Sequence, residues 1–208
     1  MKVMTVNAVL DEFGCDKGTK HPHAHGYGLA YARVFSTVTP TSLLEVGVQR
    51  GRSIAAWKKL FPEARLAGLD YTDVQNINDG YYGLFGRVPP LDTWELYRGD
   101  STLKETADSI PGNFDIIIDD GSHRWQDQVN TFKNFIDKCN HIYVIEDIFG
   151  TRHERFIRNA VKEMGYTNIH TFDSRITDQV EYIQDQGKVE FTFKFMVIIK
   201  DANRQLAG

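Results

Sequence analysis

From position 43 onward, short apolar runs alternate with stretches whose apolar residues recur every three or four positions. SLLEVGV reads as a buried strand that ends in a glycine-containing turn. RSIAAWKKLF follows, with Ile54, Trp57 and Phe61 at helical spacing and Pro62 to stop the helix. RLAGLDY predicts a second strand and WELYRGD a third. LKETADSI predicts a helix on Leu103, Ala107 and Ile110. FDIIIDD is an apolar strand ending in two acids. WQDQVNTFKNFI carries Trp125, Val129, Phe132 and Ile136 at helical spacing, and HIYVIED is a fifth strand that again ends in two acids. HERFIRNAVKEMG is a helix closed by Gly165. Near-continuous apolar strands separated by helices predict an α/β, Rossmann-like fold with a mostly parallel sheet covered on both faces.

The end of the chain has a different pattern. NIHTFDS and VEFTFKFMVIIK are strand-like, and Phe191, Phe193, Phe195 and Val197 alternate as in a half-buried strand. The stretch between them carries too little helical signal for a crossover helix, so the last strand is expected to run antiparallel. The region 71–95 is rich in Gly, Pro and aromatics and is long for a loop, which marks it as functional or mobile. Residues 1–42 precede the first strand and read as a helical cap or lid, with Leu29, Val34 and Phe35 available to dock it. Residues 43–208 form the core of what is expected to be a single domain. No internal repeat is visible.

Composition narrows the class. The 208 residues are 41% apolar and 12% aromatic, too apolar for disorder, and long enough to bury a full core. No apolar run approaches the roughly 20 residues of a membrane-spanning helix. The start, MKVMTVNAVLDEF, meets an acid by position 11 and does not read as a secretory signal. Cys15 and Cys139 fit a reducing compartment better than a disulfide framework, so a soluble, cytoplasmic protein is expected. A net charge of -4 with scattered Lys and Arg argues against nucleic-acid partners, and no membrane partner is expected.

Two groups of residues carry candidate chemistry. Glu45, Gly47 and Gly51 sit between a strand and a helix, where glycines let the backbone turn tightly and let a ligand approach amides at a helix N-terminus. Position 49 is Gln, so the GxGxxG dinucleotide fingerprint is not met. Asp70 ends the next strand, where an acid can accept hydrogen bonds from ribose hydroxyls, and Asp100 with Ser101 follows the third strand. The second group is FDIIIDDGSH with HIYVIED: Asp119, Asp120 and His123 after one strand, Glu146 and Asp147 after the next. Ligands of open α/β sheets gather at these carboxyl ends. Side chains alternate across a strand, so Asp119 and Asp120 should face different sides. Carboxylates packed together repel unless a cation sits among them. With no cysteine beside them, they suit a hard, oxygen-preferring divalent ion such as Mg²⁺.

With these residues in place, the chain resembles class I S-adenosylmethionine-dependent methyltransferases: ExGxxxG, an acid ending the second strand, and GD after the third. IIDDGSH followed by YVIED is more specific and is similar to the metal-dependent macrocin and mycinamicin sugar O-methyltransferases and their cephalosporin hydroxylase-like relatives. The CDKGTKH segment also looks like that family's stretch before the first strand. The likeness covers roughly residues 14 to 200. It implies S-adenosylmethionine held by Glu45, Gly47, Gly51, Asp70, Asp100 and Ser101 with Asp119 close by, Mg²⁺ on Asp120, Glu146 and Asp147, and His123 as general base. Cys139-Asn140 departs from the family's usual glycine pair, IFGTRHERF after the acid pair does not match closely, and no counterpart of the mycinamicin enzyme's extra N-terminal domain is expected. The implied activity is Mg²⁺-assisted O-methylation of a small hydroxylated acceptor, a sugar or sugar-bearing metabolite, with catechol-type diols sharing the geometry. Homo-oligomer formation is compatible with this and not specified by it. The rival readings are an NAD(P)-dependent oxidoreductase and a non-catalytic methyltransferase-fold binding module.

Several other signals read as structural. His21, His23 and His25 in HPHAHG form a loop with no adjacent acid, suited to a lid or acceptor contact rather than a metal. Tyr27 and Tyr31 read as helix packing, as does Trp125. Tyr81, Tyr82, Phe85 and Trp94 either stack on a sugar face or form a satellite core. Arg152 and His153 read as solvated residues of a helix's first turn.

Overall fold

A computed structural model describes residues 2–72, 93–173, 180–183, 187–190 and 193–208. The strands are β1 (Ser42–Val46), β2 (Arg65–Asp70), β3 (Glu95–Arg98), β4 (Phe114–Asp119), β5 (Cys139–Phe149), β6 (Ile169–Asp173), β7 (Val180–Ile183), β8 (Gly187–Glu190) and β9 (Phe193–Ile199). The helices are α1 (Val3–Glu12), α2 (Gly28–Thr37), α3 (Arg52–Leu60), α4 (Lys104–Ser109), α5 (Trp125–Phe135) and α6 (Gly150–Glu163). Seven strands form one sheet in the order β3-β2-β1-β4-β5-β9-β6, and β7 and β8 make a separate antiparallel hairpin. Strands β1 to β5 are mutually parallel, while β9 runs antiparallel to both β5 and β6. The mostly parallel sheet with an antiparallel strand near its edge is the expected architecture.

Both faces of the sheet are covered, which is why its strands read as continuous apolar runs. On one face Leu43, Leu66, Ile116, Ile118, Ile142, Val144 and Val197 pack with α1, α2 and α3 through Leu10, Tyr31, Phe35 and Trp57. On the other, Leu44, Ala67, Ile117, Tyr143, Ile145 and Ile198 pack with Phe132, Phe135, Ile157 and Val161 from α5 and α6. Ile54, Trp57 and Phe61 are buried on α3, whose last turn carries Lys58 and Lys59 at the negative end of the helix dipole.

Three expectations about packing change. The last strand is not half-buried: Phe195, Met196, Val197 and Ile198 are all fully buried, because β9 lies between β5 and β6 and its two faces both meet helices. Phe191 lies outside the described residues. Leu29 does not dock α2, being 49% exposed, and Tyr31 takes that place between Phe35, Trp57 and Phe195. Leu103 likewise stays 44% exposed before α4, whereas Ala107 and Ile110 are buried. Trp94 is buried over Gly68, so it belongs to the core rather than to a sugar-stacking wall. Tyr81, Tyr82 and Phe85 lie outside the described residues. Trp125 packs on Phe156 of α6 with ring centroids 4.9 Å apart, a packing role as expected. Among the described residues, no helix is long and apolar enough to cross a membrane.

Candidate active site

The sheet order reverses direction between β1 and β4, and the carboxyl ends of those two strands open a crevice. The chain leaves β1 through Gly47 at φ 87°. A Cβ at this position would run into the backbone carbonyl of Asp120, so the close approach of the β1 and β4 ends requires glycine. Gly51, at φ 68°, is the N-cap of α3. Between them, Gln49 turns at φ 50° and its N–H donates to Asp70 Oδ2 at 2.8 Å. Thr72 N–H donates to Asp70 Oδ1, also at 2.8 Å. The buried Asp70 carboxylate thus ties the glycine turn to the end of β2, and each of its oxygens can accept a further hydrogen bond.

The cleft that results has a volume of about 1140 Å³. Gly47, Asp70, Asp100, Ser101, Asp120, His123 and Asp147 all line it, as do Lys17, His21 and His23 from the N-terminal segment. Asp100 Oδ1 accepts from the Thr102 N–H and hydroxyl, and the Ser101 hydroxyl meets that of Thr131 at 2.8 Å. Glu45, Gly51, Asp119 and Glu146 stand behind the wall.

Asp119 and Asp120 point to opposite sides of the sheet. Asp119 is buried on the α5 face; burial pushes its carboxyl well up, and its Oδ2 has no hydrogen-bond partner. Asp120 faces the other way, along the row of Glu45 and Glu146 set by the pairing of Glu45 with Ile118 and of Ile118 with Val144. Among these acids lies Lys17, 2% exposed. Its ammonium donates to Asp120 Oδ2 and to Glu146 Oε2 at 2.9 Å, and stands 3.6 Å from Glu45 Oε1. Glu146 Oε1 accepts from the Tyr31 hydroxyl, and Glu45 Oε2 accepts from Trp57 Nε1 at 3.0 Å. Burial pushes Glu45 up to about 7 and Asp120 up to about 6, with Lys17 opposing the rise in both. Burial also raises Glu146 well above the usual carboxylate range.

Asp147 reaches the same region by a backbone irregularity. Strict alternation would place it on the face opposite Glu146. Instead its φ is 51°, and the pairing of β5 with β9 shifts register between Ile145 and Ile148. Its Oδ1 accepts from the Tyr27 hydroxyl at 2.5 Å and lies 3.0 Å from His25 Nδ1. Burial opposes ionisation of Asp147, but the hydrogen bond and charge of His25 and the hydrogen bond from Tyr27 outweigh it and hold the carboxyl below its usual value. His25 is shifted up by the same contact, against the effect of its own burial. His123 is 40% exposed, with Nε2 3.9 Å from Asp147 Oδ2. Donor atoms of Asp120, His123 and Asp147 all lie within 4.8 Å of one another, a spacing that a small divalent ion can span with little contraction.

The fold corrects two readings of the N-terminal segment. The histidine loop has no acid adjacent in sequence, yet the structure sets Asp147 against His25. Tyr27 and Tyr31 do pack in the core, and their hydroxyls also hold Asp147 and Glu146. Lys17 is the residue that pattern reading passes over. A lysine in a turn has no periodicity, and its only signal is its place in CDKGTKH.

No family model matches the chain. It is 29% identical over 136 residues to 8-demethyl-8-alpha-L-rhamnosyl tetracenomycin-C 2'-O-methyltransferase of Streptomyces olivaceus, which covers 60% of this chain and 33% of that protein. Among solved structures it is similar to MycE methyltransferase from the mycinamycin biosynthetic pathway, solved with Mg and SAH. That match has 26% identity and a TM-score of 0.53, covering 69% of this chain and 36% of the other. The chain thus spans about a third of the length of these two relatives. An O-methyltransferase from Bacillus cereus, solved with SAH, superposes over 96% of this chain and 92% of its own at a TM-score of 0.54 and 14% identity, a likeness of fold. The chain has the class I methyltransferase fold, and over part of its length it resembles sugar O-methyltransferases of the mycinamicin type.

Proposed function

We propose that this chain transfers a methyl group from S-adenosylmethionine to a hydroxyl of a small acceptor, a sugar or sugar-bearing metabolite. The observation that carries this reading is the meeting, in one cleft, of the Gly47 turn with Asp70 and of the Asp120, His123 and Asp147 side chains. The cleft's volume slightly exceeds that of a typical single-ligand pocket, about 300–1,000 Å³, so a cofactor and an acceptor can share it. The methyl-transfer activities of the tetracenomycin and mycinamycin relatives support the same reaction class.

When bound, S-adenosylmethionine supplies the electrophilic methyl group, and a hard divalent ion orients and acidifies the acceptor hydroxyl. The chain's own residues do the rest. The first turn of α3, at Arg52 and Ser53 on the cleft wall, suits the polar end of the cofactor, and Asp70 accepts from ribose hydroxyls. Asp120 and Asp147 would hold the ion, because a hard cation prefers carboxylate oxygen to imidazole nitrogen. His123 takes the proton as the bond forms, and ionised Asp147 beside it stabilises the resulting imidazolium. Glu146, held by Lys17 and Tyr31, acts from behind the cleft wall.

The test is transfer of radiolabelled methyl from S-adenosylmethionine to a panel of sugars, glycosides and catechols with Mg²⁺ present, beside calorimetric titration with S-adenosylhomocysteine and NAD. Label in a hydroxylated acceptor supports the reading. Binding of NAD without S-adenosylhomocysteine would move the chain to the oxidoreductases. S-adenosylhomocysteine binding with no transfer to any acceptor would favour a binding module.

A further inference from the structure

The acids of the buried cluster are legible at the strand ends, but the cation inside it, Lys17, is not. An ammonium this buried persists only when paired. Three carboxylates surround it: Asp120 and Glu146 accept from its Nζ, and Glu45 Oε1 stands 3.6 Å away. Lys17 therefore occupies specific carboxylate oxygens. It takes Asp120 Oδ2 and Glu146 Oε2, while Tyr31 takes Glu146 Oε1. On the cleft side, Tyr27 and His25 take Asp147 Oδ1, and Asp147 Oδ2 faces His123. The cluster is thereby divided into an inner part already served by a cation and an outer part, Asp120 with Asp147, that opens to the cleft.

Building on the methyl-transfer reading, we propose that Lys17 is a positioning residue. Its ammonium is the built-in cation of the inner carboxylates, and it confines a divalent ion to the outer side, on Asp120 and Asp147. Two cations cannot share one carboxylate oxygen at contact distance without strong repulsion, which falls off only slowly in a poorly solvated interior. Glu146 is thus kept from the ion by Lys17 and Tyr31. Asp120 is shared, one oxygen to each cation, so the Lys17 contact aims its other oxygen outward.

The test is Mn²⁺ binding to the full chain, followed by electron paramagnetic resonance with neither S-adenosylmethionine nor acceptor present. Wild type is expected to bind at most one ion. Lys17→Met, which frees Asp120 and Glu146, is expected to bind Mn²⁺ roughly tenfold more tightly or to take a second ion. Because that variant leaves buried acids unpaired, Lys17→Met/Glu146→Gln is compared with Glu146→Gln. Removing one charge of each sign keeps the interior balanced, and the double variant should again bind more tightly than the single one. Unchanged or weaker Mn²⁺ binding in both comparisons overturns the role given to Lys17. If wild type binds no Mn²⁺ but Lys17→Met does, the Lys17 role stands and the ion is removed from the proposed function. If no variant binds Mn²⁺, both fall. Failure of methyl transfer alone leaves this binding result intact.

Discussion

Lys17 Nζ lies 2.9 Å from Glu146 Oε2, a contact between residues 129 positions apart that closes the N-terminal segment onto the carboxyl end of β5. Both side chains are almost completely buried. Removing the lysine leaves Glu146, Asp120 and Glu45 without their shared cation in the interior, and breaking a buried pair typically costs about 3–5 kcal/mol. Lys17→Ala should therefore lower the free energy of unfolding by that amount in a urea titration. A loss below about 1 kcal/mol would show that the pair is replaceable by water or by local rearrangement.

Gly47→Ala should damage both the fold and the cofactor site. The residue needs φ 87° and leaves no room for a Cβ against the Asp120 carbonyl, so the β1 and β4 ends must separate. A stability loss of more than about 1 kcal/mol is expected, together with S-adenosylhomocysteine binding weakened at least roughly tenfold by calorimetry. Wild-type binding would place the cofactor elsewhere.

His123→Ala should separate chemistry from binding. Loss of a general base typically costs about 10²–10⁴ in turnover. His123 is 40% exposed at the cleft edge, so its removal should leave folding and S-adenosylhomocysteine binding nearly unchanged. Turnover close to wild type in this variant would remove the base assignment.

Exhaustive chelation should abolish transfer, and added Mg²⁺ should restore it. Asp147→Asn should raise the Mg²⁺ concentration needed by about tenfold or more, since a neutral amide is a poorer ligand for a hard cation than a carboxylate. Activity that persists through chelation would remove the ion from the proposed function.

A pH-dependent contribution is expected far from the cleft. Glu154 on α6 accepts from Lys194 at 2.9 Å and from Arg158 at 3.0 Å. Burial alone would raise its pKa, but these hydrogen bonds outweigh burial and hold it below the usual carboxylate value. A carboxyl with a depressed folded pKa stabilises the protein above its unfolded pKa, about 4.3, and loses that contribution as pH falls through the folded value. Glu154→Gln should therefore cost about 1 kcal/mol near neutral pH, a gap that closes below about pH 4. A gap of equal size at both ends would show that charge is not its source.

The elements around the sheet were legible because their signals are local. The runs FDIIID and HIYVIED are apolar enough to declare strands buried on both faces, and Ile54, Trp57 and Phe61 fall on one side of a helix. The Gly47 turn was legible for the same reason: a glycine between a strand and a helix reports its backbone need directly. Asp70, Asp120, His123 and Asp147 were legible as chemistry because acids at strand ends have few structural uses. Leu29 and Leu103 misled, since helical spacing names a face without saying what lies opposite it.

Sequence alone thus determined the class of fold, the order in which strands and helices alternate, and the carboxylates available at the strand ends. Only the tertiary structure decided how those carboxylates are divided. Lys17, His25, Tyr27 and Tyr31 come from a segment whose place against β4 and β5 is set by burial of α1 and α2 on the sheet, a long-range outcome with no local signature. Asp147 joins the cleft because a register shift at φ 51° reverses the side that alternation assigns to it. Strand periodicity predicts faces only while the ladder is regular, and here the residue that matters sits where the ladder breaks.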